Sequence, residues 1–159
     1  MLGMLEPFRS QVEDWDVLLL ALFYHDAVYN VLRSDNEAQS AALATSHLQA
    51  IGFPSARLER CQAHILATKG HAAAQDPDTA LFTDADLSVL GAPWEDYQQY
   101  AQNIRREYGL FPDIVYRPGR RKVLERFLAM PHIYKTPVFQ AEREERAREN
   151  LQREKDLRF

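Results

Sequence analysis

No stretch of this chain alternates apolar and polar residues cleanly over five or more positions, so a half-buried β-strand has nothing to form from. The apolar residues instead recur at helical spacing between capping and breaking signals, and the expected fold class is all-α. Asp14 or Asp16 caps a helix over residues 17 to about 29, whose apolar side chains cover every side and predict a central, buried element. Ser34-Asp35-Asn36-Glu37 reads as a loop and cap before a helix over 38–51, closed by Gly52 with Pro54 beyond. Ser55 opens a helix over 57–68, ended by Lys69-Gly70, and Gln75-Asp76-Pro77-Asp78 is turn chemistry. Helices over 79–90 and 94–108 follow, the first closed by Gly91-Ala92-Pro93. A Gly/Pro loop over 109–118 precedes the last two, over 119–129 and 138 to about 156. The expected architecture is one domain over 1–159 of six or seven helices, with 138–159 a charged C-terminal helix.

Composition removes several classes. With 159 residues, 46% of them apolar, the chain can bury one domain's core, and it is too hydrophobic to be disordered. A single cysteine excludes a disulfide scaffold or zinc ribbon and fits a reducing compartment. The 19 basic and 23 acidic side chains give a net charge of −4, and no electrostatic case for a nucleic-acid polymer or an anionic membrane as partner. The longest apolar run, residues 17–24, is far too short to span a bilayer, and the N-terminus lacks a basic signal region; a soluble cytoplasmic protein is expected. Residues 140–159 carry Glu and Arg at i,i+3 and i,i+4 spacings, as a solvated helix face does; docking on a partner subunit through Ala141, Ala147 and Leu151 is the other reading. The short basic cluster at 117–122 reads as a solvated loop.

Two polar intrusions into apolar text stand out. His25-Asp26 lies within the most apolar expected helix, where an ionised carboxylate costs several kcal/mol unless it is paired or bound to a cation. A hydrogen-bonded Asp26 beside a satisfied core histidine answers the same constraint. Asp84 and Asp86 flank Ala85 among Leu81, Phe82, Leu87 and Leu90, and point to different sides of a helix, so one serves as a ligand and the other as a cap or support. Two exposed acids in a first helical turn are the alternative. His71, just past a C-cap glycine, reads most simply as a surface residue.

The order of these blocks carries more than any one of them. Phe23-Tyr24-His25-Asp26-Ala27-Val28-Tyr29, Asn36-Glu37-x-x-Ser40-Ala41, Thr68-x-x-His71 and Phe82-x-Asp84-Ala85-Asp86-Leu87-Ser88 run through the first half. Tyr100-x-x-x-Ile104-Arg105-x-Glu107-Tyr108, Gly119-Arg120, Ile133-Tyr134-x-Thr136 and 142–151 continue it. In this order the chain resembles the HD-domain metal-dependent phosphohydrolases, and more narrowly the bacterial predicted metal-dependent HD-superfamily proteins. The resemblance implies a single HD-type helical domain and a metal-dependent phosphohydrolase, cleaving a phosphomonoester or phosphodiester of a small compound such as a nucleotide. It implies His25, Asp26 and Asp86 as metal ligands, with Asp84 as support or alternative ligand. Glu37 would orient or deprotonate the attacking water, unless it is simply a capping acid. His71 would contact phosphate or leaving group. Arg105 and Arg120 would clamp phosphate, unless each makes a surface salt bridge. The cofactor implied is a divalent ion, Mn, Fe, Co, Ni, Zn or Mg. The family's first histidine ligand precedes the His-Asp pair by a helix, and none of the five histidines (His25, His47, His64, His71, His132) lies there. The expectation is a chain lacking that ligand helix, in which a degenerate module binding a nucleotide or protein partner is the alternative, and the uncovered helix favours a homodimer.

Overall fold

A computed structural model describes residues 1–71 and 75–157; among them are eight α-helices, two 3-10 helices and no strand. The all-α expectation holds, and the helix beyond the expected seven is a single turn at the start, α1 (Leu2–Leu5). The residues group into two compact units, Met1–Asp86 and Leu87–Phe159. No helix among the described residues is long and apolar enough to cross a membrane.

The first unit holds α1, a 3-10 turn (Glu6–Phe8), α2 (Trp15–Tyr24), α3 (Asn36–Ala50), α4 (Ser55–Ala67) and α5 (Pro77–Asp86). Helix α4 is its centre, packed on α2, α3 and α5, with Cys61 and Ile65 fully buried. Gly52 and Gly70 adopt left-handed φ of 71° and 83° just past α3 and α4, as their breaker positions predict. Helix α2 departs from expectation. It stops at Tyr24 instead of running to about 29, and Phe23 is 72% exposed, so α2 is buried on one side only, through Val17, Leu18 and Ala21. The reason is non-local: the Val28 N–H donates to Ser40 Oγ at 3.1 Å, which ties the chain after His25 to α3 as a turn. Asn36 does the same one turn earlier, accepting from the Asn30 N–H at 3.1 Å and donating to its carbonyl at 3.0 Å.

The starts of α2, α4 and α5 are bound together by carboxylates. Asp14 caps α2, accepting from the Val17 N–H at 3.2 Å, and takes both Arg57 donors at 2.7 Å. Buried Asp78 accepts from the Glu13 N–H and from Arg60 Nη2, each at 3.0 Å. Pro77 and Asp78, expected in a turn, form the first turn of α5, where Asp76 accepts from the Thr79 N–H at 2.8 Å and proline lacks only a donor that would be orphaned anyway. Both α2 and α5 are ten residues long, about 15 Å each. Tied side by side at their starts, they deliver His25 and Asp86 to the same level at their ends. Asp14→Ala removes the cap and the partner of Arg57 together and lowers stability by about 1–2 kcal/mol in urea denaturation. The Arg57 guanidinium holds the Asp14 carboxyl below the ordinary 3.8. Its contribution is therefore present above the usual carboxylate range and is lost as pH falls through the lower folded value.

The second unit holds a 3-10 helix (Leu87–Gly91), α6 (Trp94–Glu107), α7 (Asp113–Leu128) and α8 (Pro137–Asp156). The expected loop over 109–118 is largely helix, because α7 continues through Pro118. Asp113 braces that stretch, accepting from Arg105 and Arg117 at 2.8 Å each. Residues 117–122 are accordingly helical, not a solvated loop. Helix α8 is likewise more than a solvated face. Phe139, Ala147 and Leu151 are buried within the unit, so Ala147 and Leu151 present nothing to a partner subunit; Ala141 is exposed. Residues 158 and 159, at the end of the expected charged helix, lie outside the described residues. Asn150 donates to the Leu90 and Ala92 carbonyls at 2.8 and 2.9 Å, Tyr134 Oη to the Leu87 carbonyl at 3.1 Å, and Glu144 accepts from the Ile133 N–H at 3.0 Å. Gly91 lets the 3-10 helix meet α8: a Cβ there would sit 2.7 Å from Arg143 Cβ and 2.8 Å from its carbonyl oxygen. Gly91→Ala is expected to cost about 1–3 kcal/mol, read as a lowered thermal midpoint.

Candidate functional site

Two helix ends and two loops bring the expected site residues of the first unit together. His25 caps the end of α2; Asp26 follows in the turn pinned by Ser40; His71 follows Gly70 after α4; Asp86 ends α5. His25 is not inside a helix, as the sequence suggests, but at its terminus, and the Asp26 side chain is 69% exposed instead of buried. His25 Nε2 lies 3.4 Å from Asp26 Oδ2 and 3.6 Å from Asp86 Oδ1; His71 Nε2 lies 3.6 Å from Asp86 Oδ2. His71 is largely buried, not a surface residue, and holds a left-handed φ of 51°, a strained conformation for a side chain of its size. Both aspartates sit in the last turn of α5 and not the first. Asp86 serves the two imidazoles, whereas Asp84 is fully buried and engaged within the protein.

The orientation of His25 is fixed from behind. Its Nδ1–H donates to the Leu22 carbonyl at 2.8 Å, and its ring stands edge-on to fully buried Phe82, centroids 5.9 Å apart. In the neutral ring the Nε2 lone pair then faces two carboxylates, which repels unless a positive charge lies between them. Burial lowers the His25 pKa, but hydrogen bonding to Asp86 and the charges of Asp86 and Asp26 together raise it above the ordinary value. Asp26 is raised as well, by desolvation first and then by the negative charges of Asp86 and Glu37, against the pull of His25. Glu37, half-buried in the first turn of α3, adds its negative charge to that of Asp86 at Asp26. The unit carries 12 acidic and five basic side chains, and the ends of α2 and α4 add partial negative charge. The carboxylates and the helix C-termini both favour a cation here, against the desolvation of His25.

Donors about 2.1 Å from an ion at tetrahedral angles lie about 3.4 Å apart, close to the separations around His25 and Asp86. A lone imidazole nitrogen whose other N–H holds a backbone carbonyl is the usual form of a metal-bound histidine. The donor types and the two spacings from His25 are those a divalent ion uses. They do not form a closed cage: among the described residues no group of three or more His, Cys, Asp and Glu is arranged to hold a metal. Asp86 faces one imidazole with each oxygen, Oδ1 toward His25 and Oδ2 toward His71.

Arg105 and Arg120 belong to the second unit. Arg105 donates to the Tyr108 and Phe111 carbonyls and to Asp113, and stacks over Tyr116 at 4.6 Å. Arg120 is largely buried and makes a two-pronged pair with Glu154 at 2.7 and 2.8 Å, while Tyr97 Oη also donates to Glu154. Burial and the Glu154 charge push the Tyr97 hydroxyl far up. Sequence reasoning missed this triad, since its members are 23 and 34 residues apart along the chain and share no local pattern. It also missed the depth of His64, fully buried with Nδ1 2.8 Å from Thr79 Oγ1. The lone cysteine, Cys61, is buried, and its thiol is pushed up to about 11, which makes it unreactive. No protein-family model, curated protein or solved structure matches the chain.

Proposed function

We propose that the first unit carries a divalent-cation site formed by His25, Asp26 and Asp86, and that this site hydrolyses a phosphoester of a small compound, with nucleotides the first class to test. The observation that supports it is the fixed Nε2 of His25 facing two carboxylates in an acid-rich unit. When bound, a divalent ion supplies neutralisation of phosphate oxygens and a water of lowered pKa. The protein's own part is positional. The Leu22 carbonyl keeps the His25 tautomer, Ser40 holds the turn bearing Asp26, and Glu37 stands by as the acceptor of a proton from water. His71 would contact a phosphate oxygen or leaving group through Nε2, the nitrogen that faces Asp86. This reading carries forward the HD-type fold, the cytoplasmic setting and the small phosphorylated partner as parts of one proposal.

The test is turnover of a phosphomonoester, phosphodiester and nucleotide panel by the full chain with added Mn, Co or Ni, after treatment with EDTA. Metal-restored hydrolysis of at least one compound is expected. The open donor arrangement favours one second reading, a module that binds a nucleotide without turnover. That reading predicts ligand-induced thermal stabilisation with no product in any metal.

A further inference from the structure

The second unit contains a cavity of about 640 Å³, within the size range of small-molecule sites. Its walls are two helical stripes. On α7 the lining residues are Asp113, Tyr116, Arg117, Arg120, Arg121 and Leu124, at i, i+3, i+4, i+7, i+8 and i+11. On α6 the stripe begins at Trp94 and ends at Arg105 and Arg106, and the end of α8 adds Glu154 and Lys155. A stripe of that period normally carries the apolar face of a helix; here it carries guanidinium groups.

The charge is not balanced locally. Among the described residues, six cations line the cavity against two carboxylates, Asp113 and Glu154. Asp113 is shared by Arg105 and Arg117, and Glu125, outside the lining, is shared by Arg121 and Lys155. The surplus sits in a chain whose net charge is −4, because the second unit has 14 basic and 11 acidic side chains. The aromatic rings are prepared in the same place. Arg105 lies over Tyr116 at 4.6 Å, and Arg153 over Trp94 at 3.9 Å, so a cation covers one face of each ring and fixes its orientation.

We propose that this cavity binds a small organic polyphosphate, its phosphates taken by Arg117, Arg121 and Lys155 and its flat or apolar body by Trp94, Tyr116 and Leu124. The inference is independent of the cation site in the first unit. Its size favours a single small ligand over a polymer, and its mixed lining favours a body-bearing phosphate over inorganic phosphate.

The experiment is calorimetric titration of the full chain in EDTA with ADP, pyrophosphate and adenosine as probes. ADP should bind, pyrophosphate more weakly, and adenosine not measurably. The double variant Arg117→Gln, Arg121→Gln removes two side chains that are 48% and 62% exposed and whose ion pairs are of the weak, solvent-screened kind, so its thermal midpoint falls only slightly while ADP affinity falls at least about tenfold. The Asp86→Asn protein should bind ADP as the parent does, which separates this cavity from the first unit. The proposal is overturned if ADP does not bind, if the double variant binds it unchanged, or if Asp86→Asn abolishes binding. A single-stranded oligonucleotide that binds where ADP does not also overturns it.

Discussion

Glu154→Ala is expected to lower the unfolding free energy by about 3–5 kcal/mol, the largest stability effect the structure predicts for a single side chain. Glu154 is 8% exposed and Arg120 is 12% exposed, so removing the carboxylate leaves a guanidinium buried without its counter-charge. It also takes away the acceptor of the Tyr97 hydroxyl, whose residue is fully buried. The loss arises from what is left behind and not from the net worth of the pair. Replacing both partners with leucine should therefore recover most of the stability, since a buried ion pair and a packed apolar pair are often equivalent. Urea denaturation followed by circular dichroism separates the two variants. A loss under about 1 kcal/mol for Glu154→Ala would show that water reaches Arg120.

Asp86→Asn acts on the other unit and in the opposite manner. Asparagine keeps the shape of the side chain at the end of α5 but removes the charge that both His25 and His71 face. Metal affinity and metal-dependent turnover should each fall at least about 100-fold, with stability changed by less than about 1 kcal/mol. Asp84→Asn is the informative contrast. Asp84 is fully buried, so its effect falls on stability. If Asp84→Asn abolished metal binding and Asp86→Asn did not, the ligand assignment would be reversed.

Much of the fold was legible locally. The bounds of α3, α4, α6 and α8 fall within a residue or two of those their caps and breakers predict, and Asp14 caps α2 as its position suggests. The failures share a cause. Helix α2 ends early because Ser40, 12 residues beyond Val28, captures its backbone, and α7 passes through Pro118 while Asp113 and Arg105 brace it. Neither contact has a local signature. For the site, the blocks containing His25-Asp26 and Asp84-Ala85-Asp86 marked residues that the structure brings together; Phe82 in the second of them and Ser40 in the block over 36–41 support them. The blocks of the second half largely hold α8 in place, through Tyr134, Glu144 and Asn150. Arg105 and Arg120 looked alike in sequence. Only their distant partners show that one is braced at a helix corner and the other is buried against Glu154.

In the proposed site His25, Asp26 and Asp86 hold a divalent ion. Titrating Mn²⁺ into the metal-free full chain at neutral pH, followed by the loss of the free-ion electron paramagnetic resonance signal, tests it most directly. One saturable site per chain is predicted, weakened at least about 100-fold by Asp86→Asn. The absence of saturable binding, or binding that Asp86→Asn leaves untouched, would contradict it.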